Sequence, residues 1–223
     1  IVDSIVMAVK DILDVEAGKT FLIIGAGATV KEYHKKLSKF IEADHPVTIG
    51  INNMTHLFVP DYHLWTNRQR WGVFGDCVKK KSKLLFGSSI KTDAIRKHHK
   101  GSFVRIDYID RRNVKIRFDG EKIYGFFRTA GNLAIMLAHL MGAKEIYIVG
   151  MDGFTLHGRK ELKKAKKSHH CYGKGYTDDA DWEECVRKDE LVDKSLHLIS
   201  EYGIKFKIIT PTKFKDFFKS VFC

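Results

Sequence analysis

Residues 126–154, FFRTAGNLAIMLAHLMGAKEIYIVGMDGF, decide the fold because they divide into a helix, a turn, a strand and a polar loop. Over residues 129–141 the apolar side chains recur at helical spacing and alanines line another side, which predicts a helix covered nearly all round. Gly142 stands where the residue after a helix takes a positive φ. Residues 145–149, EIYIV, are continuously apolar, as in a strand buried on both faces of a parallel sheet.

The loop after this strand, Gly150-Met151-Asp152-Gly153, is the first candidate for a site. In open α/β sheets, ligands bind beyond the carboxyl ends of the strands. We therefore expect Gly150 and Asp152 to face a pocket. The alternative is that Asp152 only caps a turn.

The rest of the chain alternates strands and helices. Apolar strands are predicted at residues 19–24, 47–51, 62–66, 83–86 and 205–209, and helices at 1–13, 30–41, 177–203 and 213–222. This alternation predicts a single Rossmann-like α/β domain over residues 1–223, with a doubly wound, mostly parallel sheet in which residues 20–24 are central. The chain begins at Ile1 rather than Met, as expected of a domain cut from a longer protein.

Two segments depart from the alternation. Residues 114–118 and 122–124 flank Asp119-Gly120, a two-residue turn that predicts a small antiparallel hairpin excursion from the sheet. Residues 159–176 carry Arg159, six lysines, two histidines and two tyrosines, with little to hold them onto a core. We expect this segment to be a basic lid that is mobile without ligand and closes over an anionic one.

The composition of the chain indicates the cellular environment and the kinds of partner to expect. The net charge of +12 over 223 residues favours anionic partners such as phosphorylated small molecules or an acidic membrane surface, and no nucleic-acid motif accompanies it. Four cysteines without a CxxC pair argue against a zinc site and a disulfide framework. No apolar run reaches the roughly 20 residues that span a bilayer. We expect a cytoplasmic protein, which either contacts the inner face of the membrane peripherally or does not contact it. A homo-oligomer is compatible with this composition.

The turn Gly25-Ala26-Gly27 follows the first of the alternating strands and precedes a helix, where backbone amides can approach a phosphate or a ribose. A dinucleotide fingerprint would have a third glycine, and Val30 occupies that position. The next strands end in Asn52-Asn53 and in Asn67. In a dinucleotide-binding fold an acidic residue after the second strand binds a ribose, and Asn52 and Asn53 occupy that place. Asparagine amides can hydrogen-bond a base edge or ribose hydroxyls without a charge.

These segments resemble those of the bacterial sialyltransferases, glycosyltransferase family 42. The likeness lies in GAGATVKEY after residue 24, INN at 51–53, TN at 66–67, RTAG at 128–131 followed by LMGAKEIYIVGMDGF, and the tail IKFKIITPTKF. It covers about residues 18–212. The same pattern is similar to a wider Rossmann-like group that includes 6-hydroxymethylpterin diphosphokinases.

The resemblance implies a metal-independent, inverting glycosyltransferase of surface glycan synthesis, which uses a CMP-activated acidic sugar and a glycan acceptor. The residues it implies for the nucleotide are Gly25, Ala26, Gly27, Asn52, Asn53, Asn67, Thr129, Ala130, Gly131 and Gly150. Arg128 and Asp152 join the implied catalytic set, with Tyr172 and Tyr176 as phosphate-gripping lid residues. The family's base is a histidine in a segment that here reads HHCYGKGYTD over residues 169–178. Lys174 takes its place, and His170 is the base we favour.

Two other functions stay open at this point. An ATP- and magnesium-dependent diphosphokinase would hold its metal with Asp152 and Asp178. A non-catalytic nucleotide- or sugar-binding module of a larger enzyme would use the same pocket without turnover. The sequence leaves the acceptor, the sugar and the nucleotide base undetermined.

Overall fold

An eight-stranded, all-parallel sheet is the centre of the molecule. A computed structural model describes residues 5–54, 57–79, 81–158, 170–171 and 181–222. The strands of this sheet are β1 (Val6–Ala8), β2 (Thr20–Ile24), β3 (Val47–Ile51), β4 (Tyr62–Trp65), β5 (Lys83–Gly87), β6 (Phe103–Ile106), β10 (Glu145–Val149) and β11 (Lys207–Ile208). The helices are α1 (Thr29–Glu32), α2 (His34–Asp44), α3 (Arg68–Phe74), α4 (Thr92–Arg96), α5 (Ala130–Leu140) and α6 (Trp182–Glu201).

The order of the strands is β1-β6-β5-β4-β3-β2-β10-β11, and every neighbouring pair is parallel. From β2 the chain adds strands in one direction as far as β6, and it later returns to add β10 on the other side of β2. The strand order therefore reverses between β2 and β10, which is where such sheets bind ligands. The Rossmann-like α/β fold is confirmed, and residues 20–24 lie inside the sheet as predicted.

Both faces of the sheet are buried. Along β2, Phe21 and Ile23 belong to a core on the side of α5 and α6, whereas Leu22 and Ile24 belong to a core with Val30 of α1 and Leu37 of α2. Helix α5 is buried along most of its length, as the apolar pattern around it predicted. Helices α1 and α5 thus cover opposite faces of the sheet.

The predicted excursion is a separate three-stranded sheet. It contains β7 (Tyr108–Asp110), β8 (Arg117–Phe118) and β9 (Ile123–Gly125), in the order β7-β9-β8. The pair β8–β9 is the antiparallel hairpin expected around Asp119-Gly120. The pair β7–β9 is parallel, which the sequence did not indicate, so this small sheet is mixed.

The predicted N-terminal helix at 1–13 is wrong for its described part. Residues 6–8 form β1, which pairs with β6 at the edge of the sheet, and Val9–Ile12 form a short 3-10 helix. Val9 and Ile12 are buried, so their spacing reflects one turn against the core, and pairing with β6 satisfies the backbone of β1.

Two other predicted helices differ from the structure. The helix predicted at 30–41 is broken at Tyr33, whose φ of −95° and ψ of 8° separate α1 from α2. The predicted closing helix at 213–222 is only a 3-10 turn, Lys215–Phe217. Beyond it the chain runs along β11, where Lys219 N–H donates to Ile208 O at 2.9 Å and covers the edge of the sheet. In the ranges that the structure describes, no helix has both the length and the apolar character to cross a membrane.

Candidate functional site

A cavity of about 200 Å³ opens at the carboxyl edge of the sheet, where the strand order reverses between β2 and β10. We call it the switch-point cavity. The predicted site residues that line it are Gly25, Ala26, Gly27, Asn52, Thr129, Ala130, Gly131, Gly150, Asp152 and His170. Its apolar wall includes Ile23, Ile51, Ile148, Phe154, Val192 and Phe214. Residues predicted from five separate segments of the sequence therefore meet at one place.

The glycines of the cavity bring the ends of β2 and β10 together. A Cβ on Gly25 would lie 2.5 Å from Gly150 O, and Gly150 itself has a φ of +69°. The amide of Gly25 donates to Val149 O at 2.8 Å, and that of Gly27 donates to Gly150 O at 2.9 Å. Glycine is needed here for close backbone approach, and these two amides already have acceptors within the protein.

Asp152 connects β10 to the first turn of α1. Its carboxylate accepts the Thr29 N–H at 2.9 Å and a short hydrogen bond from the Thr29 hydroxyl. Thr210 Oγ1 lies 3.1 Å from Thr29 Oγ1 and accepts the Gly150 N–H at 3.1 Å. Only 4% of Asp152 is exposed, and burial raises its pKa to about 7, with the charge of Glu32 adding and the Thr29 bonds opposing. The N-terminus of α1 is thus capped by an internal carboxylate, and Asp152 both lines the cavity and caps a turn.

Helix α5 presents its N-terminus to the cavity. Thr129 is the N-cap residue, with its hydroxyl accepting the Asn132 N–H at 3.3 Å. The amides of Ala130 and Gly131 come before the first intrahelical hydrogen bond, and among the described residues neither donates to an acceptor. Two residues whose amides are at the positive end of an 11-residue helix therefore line the cavity.

Helix α5 is held in position by hydrogen bonds between buried polar groups. Asn132 Nδ2 donates to Ser195 Oγ of α6 at 2.6 Å, and Ser195 Oγ donates to Phe126 O at 2.5 Å. Both side chains are fully buried. These two hydrogen bonds connect α5, α6 and the segment before Arg128, and no pattern in the sequence predicted them.

The three predicted asparagines have different positions. Asn52 lines the cavity, with a left-handed φ of +49°, and its Oδ1 accepts the Thr66 N–H at 3.3 Å. Asn53 and Asn67 are not among the lining residues. Asn67 caps α3 by accepting the Arg70 N–H at 3.0 Å, and Asn53 Oδ1 accepts from Arg70 Nη1 at 3.2 Å.

Arg70 is a cavity residue that the sequence reasoning missed. It is half-buried and lines the cavity from the first turn of α3. Two of the predicted asparagines position it, so their effect on the cavity is indirect. The signal that could have found it is the strand-ending asparagine with an arginine three residues later, at the start of a helix.

A buried histidine holds the backbone of Asn52. His63 of β4 is fully buried, and burial lowers its pKa to about 4, so its ring is neutral at physiological pH. Its Nε2 donates a short hydrogen bond to Asn52 O. This bond helps to maintain the left-handed conformation that turns Asn52 toward the cavity.

His170 lies at the α1 side of the cavity. It forms an isolated antiparallel bridge with Gly27, and the next residue, Cys171, donates its N–H to Ala26 O at 2.9 Å. Cys171 is buried, and burial raises the pKa of its thiol to about 12. The other predicted lid residues, including Tyr172, Lys174 and Tyr176, lie outside the described residues.

Arg128 is absent from the lining of the switch-point cavity. It is exposed, has a left-handed φ of +56°, and lines a pocket of about 80 Å³ that we call the side pocket. The side pocket is lined by Thr66, Tyr108, Asp110, Phe127, Arg128, Thr129, Ala130 and Leu133. It shares Thr129 and Ala130 with the switch-point cavity, so α5 begins between the two.

A larger cavity, about 680 Å³, opens at the opposite edge of the sheet, where the strands begin. Polar groups in its lining are bonded to one another: the Tyr62 hydroxyl donates to Glu16 at 2.7 Å, and Lys19 pairs with the same carboxylate at 2.7 Å. Because the ligands of open α/β sheets bind at the carboxyl ends, the smaller switch-point cavity is the better candidate.

The chain matches no protein-family model, and no curated protein resembles it closely enough to count as a relative. The fold and the position of the cavity define its class, a Rossmann-like α/β protein with a cavity at the reversal of the strand order. Across the described ranges, no group of three or more His, Cys, Asp or Glu side chains is arranged to hold a metal ion.

Proposed function

We propose that the chain is a metal-independent, inverting glycosyltransferase that takes a CMP-activated acidic sugar as its donor. The observation that carries the proposal is at the start of α5, where Ala130 and Gly131, whose amides have no described acceptor, line a cavity also lined by Arg70. A helix N-terminus and a guanidinium are both suited to a phosphate.

The phosphate of the donor binds at α5 rather than at α1. The resemblance implied contacts from Gly25 and Gly27, but their amides donate to β10, and the first turn of α1 already has the Asp152 carboxylate. A phosphate at α1 would have to compete with Asp152 for the Thr29 amide. At α5 the phosphate completes the hydrogen bonding of two amides that have no described acceptor.

The donor extends beyond the cavity. A volume of about 200 Å³ is smaller than the roughly 300–1,000 Å³ of typical small-molecule sites, so it holds the phosphate and part of one neighbouring ring. The apolar wall formed by Ile23, Ile51 and Ile148 suits the face of a ring, and Asn52 at its rim supplies a polar edge.

His170 is suited to the role of general base. Inversion requires the acceptor oxygen to attack from the side opposite to the leaving phosphate. His170 pairs with Gly27 beside α1, and α1 covers the face of the sheet opposite to α5. A phosphate at α5 and a base at residue 170 are therefore on opposite sides of the cavity. The acceptor hydroxyl gives its proton to the imidazole as its oxygen bonds to the anomeric carbon, and CMP leaves with the electron pair of the broken bond.

The diphosphokinase alternative is less well supported. It needs Asp152 as a magnesium ligand together with Asp178, which lies outside the described residues. The Asp152 carboxylate accepts hydrogen bonds from the Thr29 amide on one oxygen and from the Thr29 hydroxyl on the other. Binding a metal there would break the cap of α1.

Thermal-shift and calorimetric titrations with CMP, UMP, GDP, ADP and ATP, each with and without magnesium, test the proposal. We expect CMP to bind without magnesium and CMP-sialic acid to release CMP on incubation with the chain. Binding of ATP only with magnesium would overturn the proposal in favour of the diphosphokinase. Tight CMP binding without any CMP release would favour a non-catalytic module.

A proline variant tests the α5 contact directly. Ala130 is the first residue of α5, and Thr129 before it is extended, with φ −133° and ψ 160°, so proline fits at Ala130 and removes only its N–H. Ala130→Pro should weaken CMP binding by about 1.5–3 kcal/mol, the value of a hydrogen bond to a charged group. Thr92→Pro, at the first position of α4 and away from the cavity, is the matched control. Equal CMP affinity in Ala130→Pro and the control would refute the contact.

A further inference from the structure

The side pocket lies against the start of α5, beside the proposed phosphate position. It shares Thr129 and Ala130 with the switch-point cavity, and its remaining polar residues are Thr66, Tyr108, Asp110 and Arg128. The proposed function so far gives no role to Thr66, Tyr108 or Asp110. A ligand with its phosphate at the α5 amides would have its neighbouring group within reach of the side pocket.

The small sheet carries Asp110 to this position. Strand β7 pairs with β9 so that Asp110 lies opposite Gly125, and Arg111 N–H donates to Gly125 O at 2.9 Å. Asp110 Oδ1 then accepts the Phe127 N–H at 3.0 Å, three residues before α5. The excursion from the main sheet thus brings a carboxylate to the pocket beside the helix start.

The side pocket suits hydroxyl groups. Its acceptor is an exposed carboxylate, and burial raises the pKa of Tyr108, with the charge of Asp110 adding to the effect, so Tyr108 keeps its phenol proton. The volume of about 80 Å³ is well below the roughly 300–1,000 Å³ of a complete small-molecule site. Such a volume suits a small polar group, such as a pair of adjacent hydroxyls.

We infer that the side pocket binds the ribose 2′,3′-diol of the nucleotide, with the Asp110 carboxylate as its hydrogen-bond acceptor. This inference rests on the proposed phosphate position at α5. In a 5′-nucleotide the diol is one sugar ring away from the phosphate, which matches two adjoining pockets. In dinucleotide-binding folds an acidic residue after the second strand grips the ribose. Asn52 and Asn53 occupy that place here, and Asp110 provides the missing carboxylate from the small sheet.

Calorimetry with paired nucleotides tests the inference. The probes are the 5′-monophosphates of cytidine, uridine, adenosine and guanosine, each with its 2′-deoxy counterpart. We expect the wild-type chain to bind the ribonucleotide about tenfold more tightly than its deoxy partner, as one charge-assisted hydrogen bond provides. In Asp110→Asn the preference should disappear while the affinity for the deoxynucleotide stays within about twofold. The asparagine keeps an oxygen for the Phe127 N–H, so the turn before α5 is preserved.

The matched control is Glu121→Gln, which removes a charge from the β8–β9 turn of the same small sheet without touching the side pocket. It should keep the full preference for ribose. Equal binding of ribo- and deoxynucleotides by the wild type would overturn the inference and leave the proposed function intact, and this comparison needs no variant. A preference that persists in Asp110→Asn would also overturn it. If none of the nucleotides binds, the proposed function and the inference fall together.

Discussion

The Asp152 carboxylate caps the first turn of α1 through both the amide and the hydroxyl of Thr29, which is 123 residues away in the chain. This contact joins the carboxyl ends of β2 and β10 at the reversal of the strand order. The two oxygens of this carboxylate also occupy the helix start that a glycine-rich turn would otherwise offer to a phosphate. We therefore propose that the anion binds on the other face of the sheet, at the start of α5.

The buried Asp152 should make stability depend on pH. Burial raises its pKa to about 7 in the folded chain from an ordinary value of 3.8, and Glu32 is the charged neighbour that adds to this rise. The folded state therefore holds a proton that the unfolded state has released, and the free energy of unfolding should fall as pH rises from about 4 to about 7. The effect is on the order of a few kcal/mol, because each unit of pKa difference corresponds to about 1.4 kcal/mol.

Urea unfolding of the wild type and Asp152→Asn between about pH 5 and pH 8 measures this effect. The asparagine cannot titrate and retains an oxygen for the Thr29 N–H, so its stability should decline less over this range. Glu201→Gln, on the exposed end of α6, controls for the loss of one charge. Parallel curves for the wild type and Asp152→Asn would show that Asp152 does not titrate near neutral pH in the fold.

The strands of the sheet could be predicted because a strand that is buried on both faces consists of a continuous run of apolar residues. Residues 47–51 and 145–149 were predicted with the observed limits, since turn residues and charges bound their apolar runs. The cavity followed from the rule that strand ends converge, because Gly25, Asn52 and Gly150 each follow a buried strand. The pattern of apolar residues along the sequence was sufficient to predict an element wherever burial of that element determined its structure.

The polar partners could not be predicted because they come from distant segments. Thr29 with Asp152, Asn132 with Ser195, and Phe127 with Asp110 are joined only by the packing of the sheet and its helices. The edge strand β1 was missed for a similar reason, because its apolar residues fit a helix equally well until β6 is placed beside it. A single sequence carries no signal for such pairings.

We expect Arg128 to lower the stability of the fold and to contribute to turnover. Its left-handed φ of +56° costs a non-glycine residue about 1–2 kcal/mol, and glycine recovers part of this while adding entropy to the unfolded chain. Arg128→Gly should therefore raise the free energy of unfolding by about 0.5–1 kcal/mol in urea. Its rate of CMP release from CMP-sialic acid should fall, because the resemblance implies a catalytic role for this arginine and the residue stands at the start of α5.

His45→Gly is the control for this experiment. His45 has a φ of +44° after α2 and lies at the amino-end edge of the sheet, away from the switch-point cavity. His45→Gly should raise the free energy of unfolding in the same way and leave the rate of CMP release unchanged. Equal turnover in Arg128→Gly and the wild type would show that the strained backbone at Arg128 has no catalytic purpose.

The last prediction separates the two candidates for the base. His170 lines the cavity opposite to α5, whereas Lys174 occupies the family's position in the sequence. An imidazole is partly neutral near pH 7 and an unperturbed ammonium is not, so His170 is the better proton acceptor. His170→Ala should reduce CMP release at saturating donor by about 10²–10⁴-fold, the usual contribution of a general base, with CMP affinity within about twofold of wild type. Lys174→Ala should weaken donor binding and leave the saturated rate near that of the wild type. The opposite pattern, full turnover in His170→Ala and loss of turnover with intact affinity in Lys174→Ala, would assign the base to Lys174.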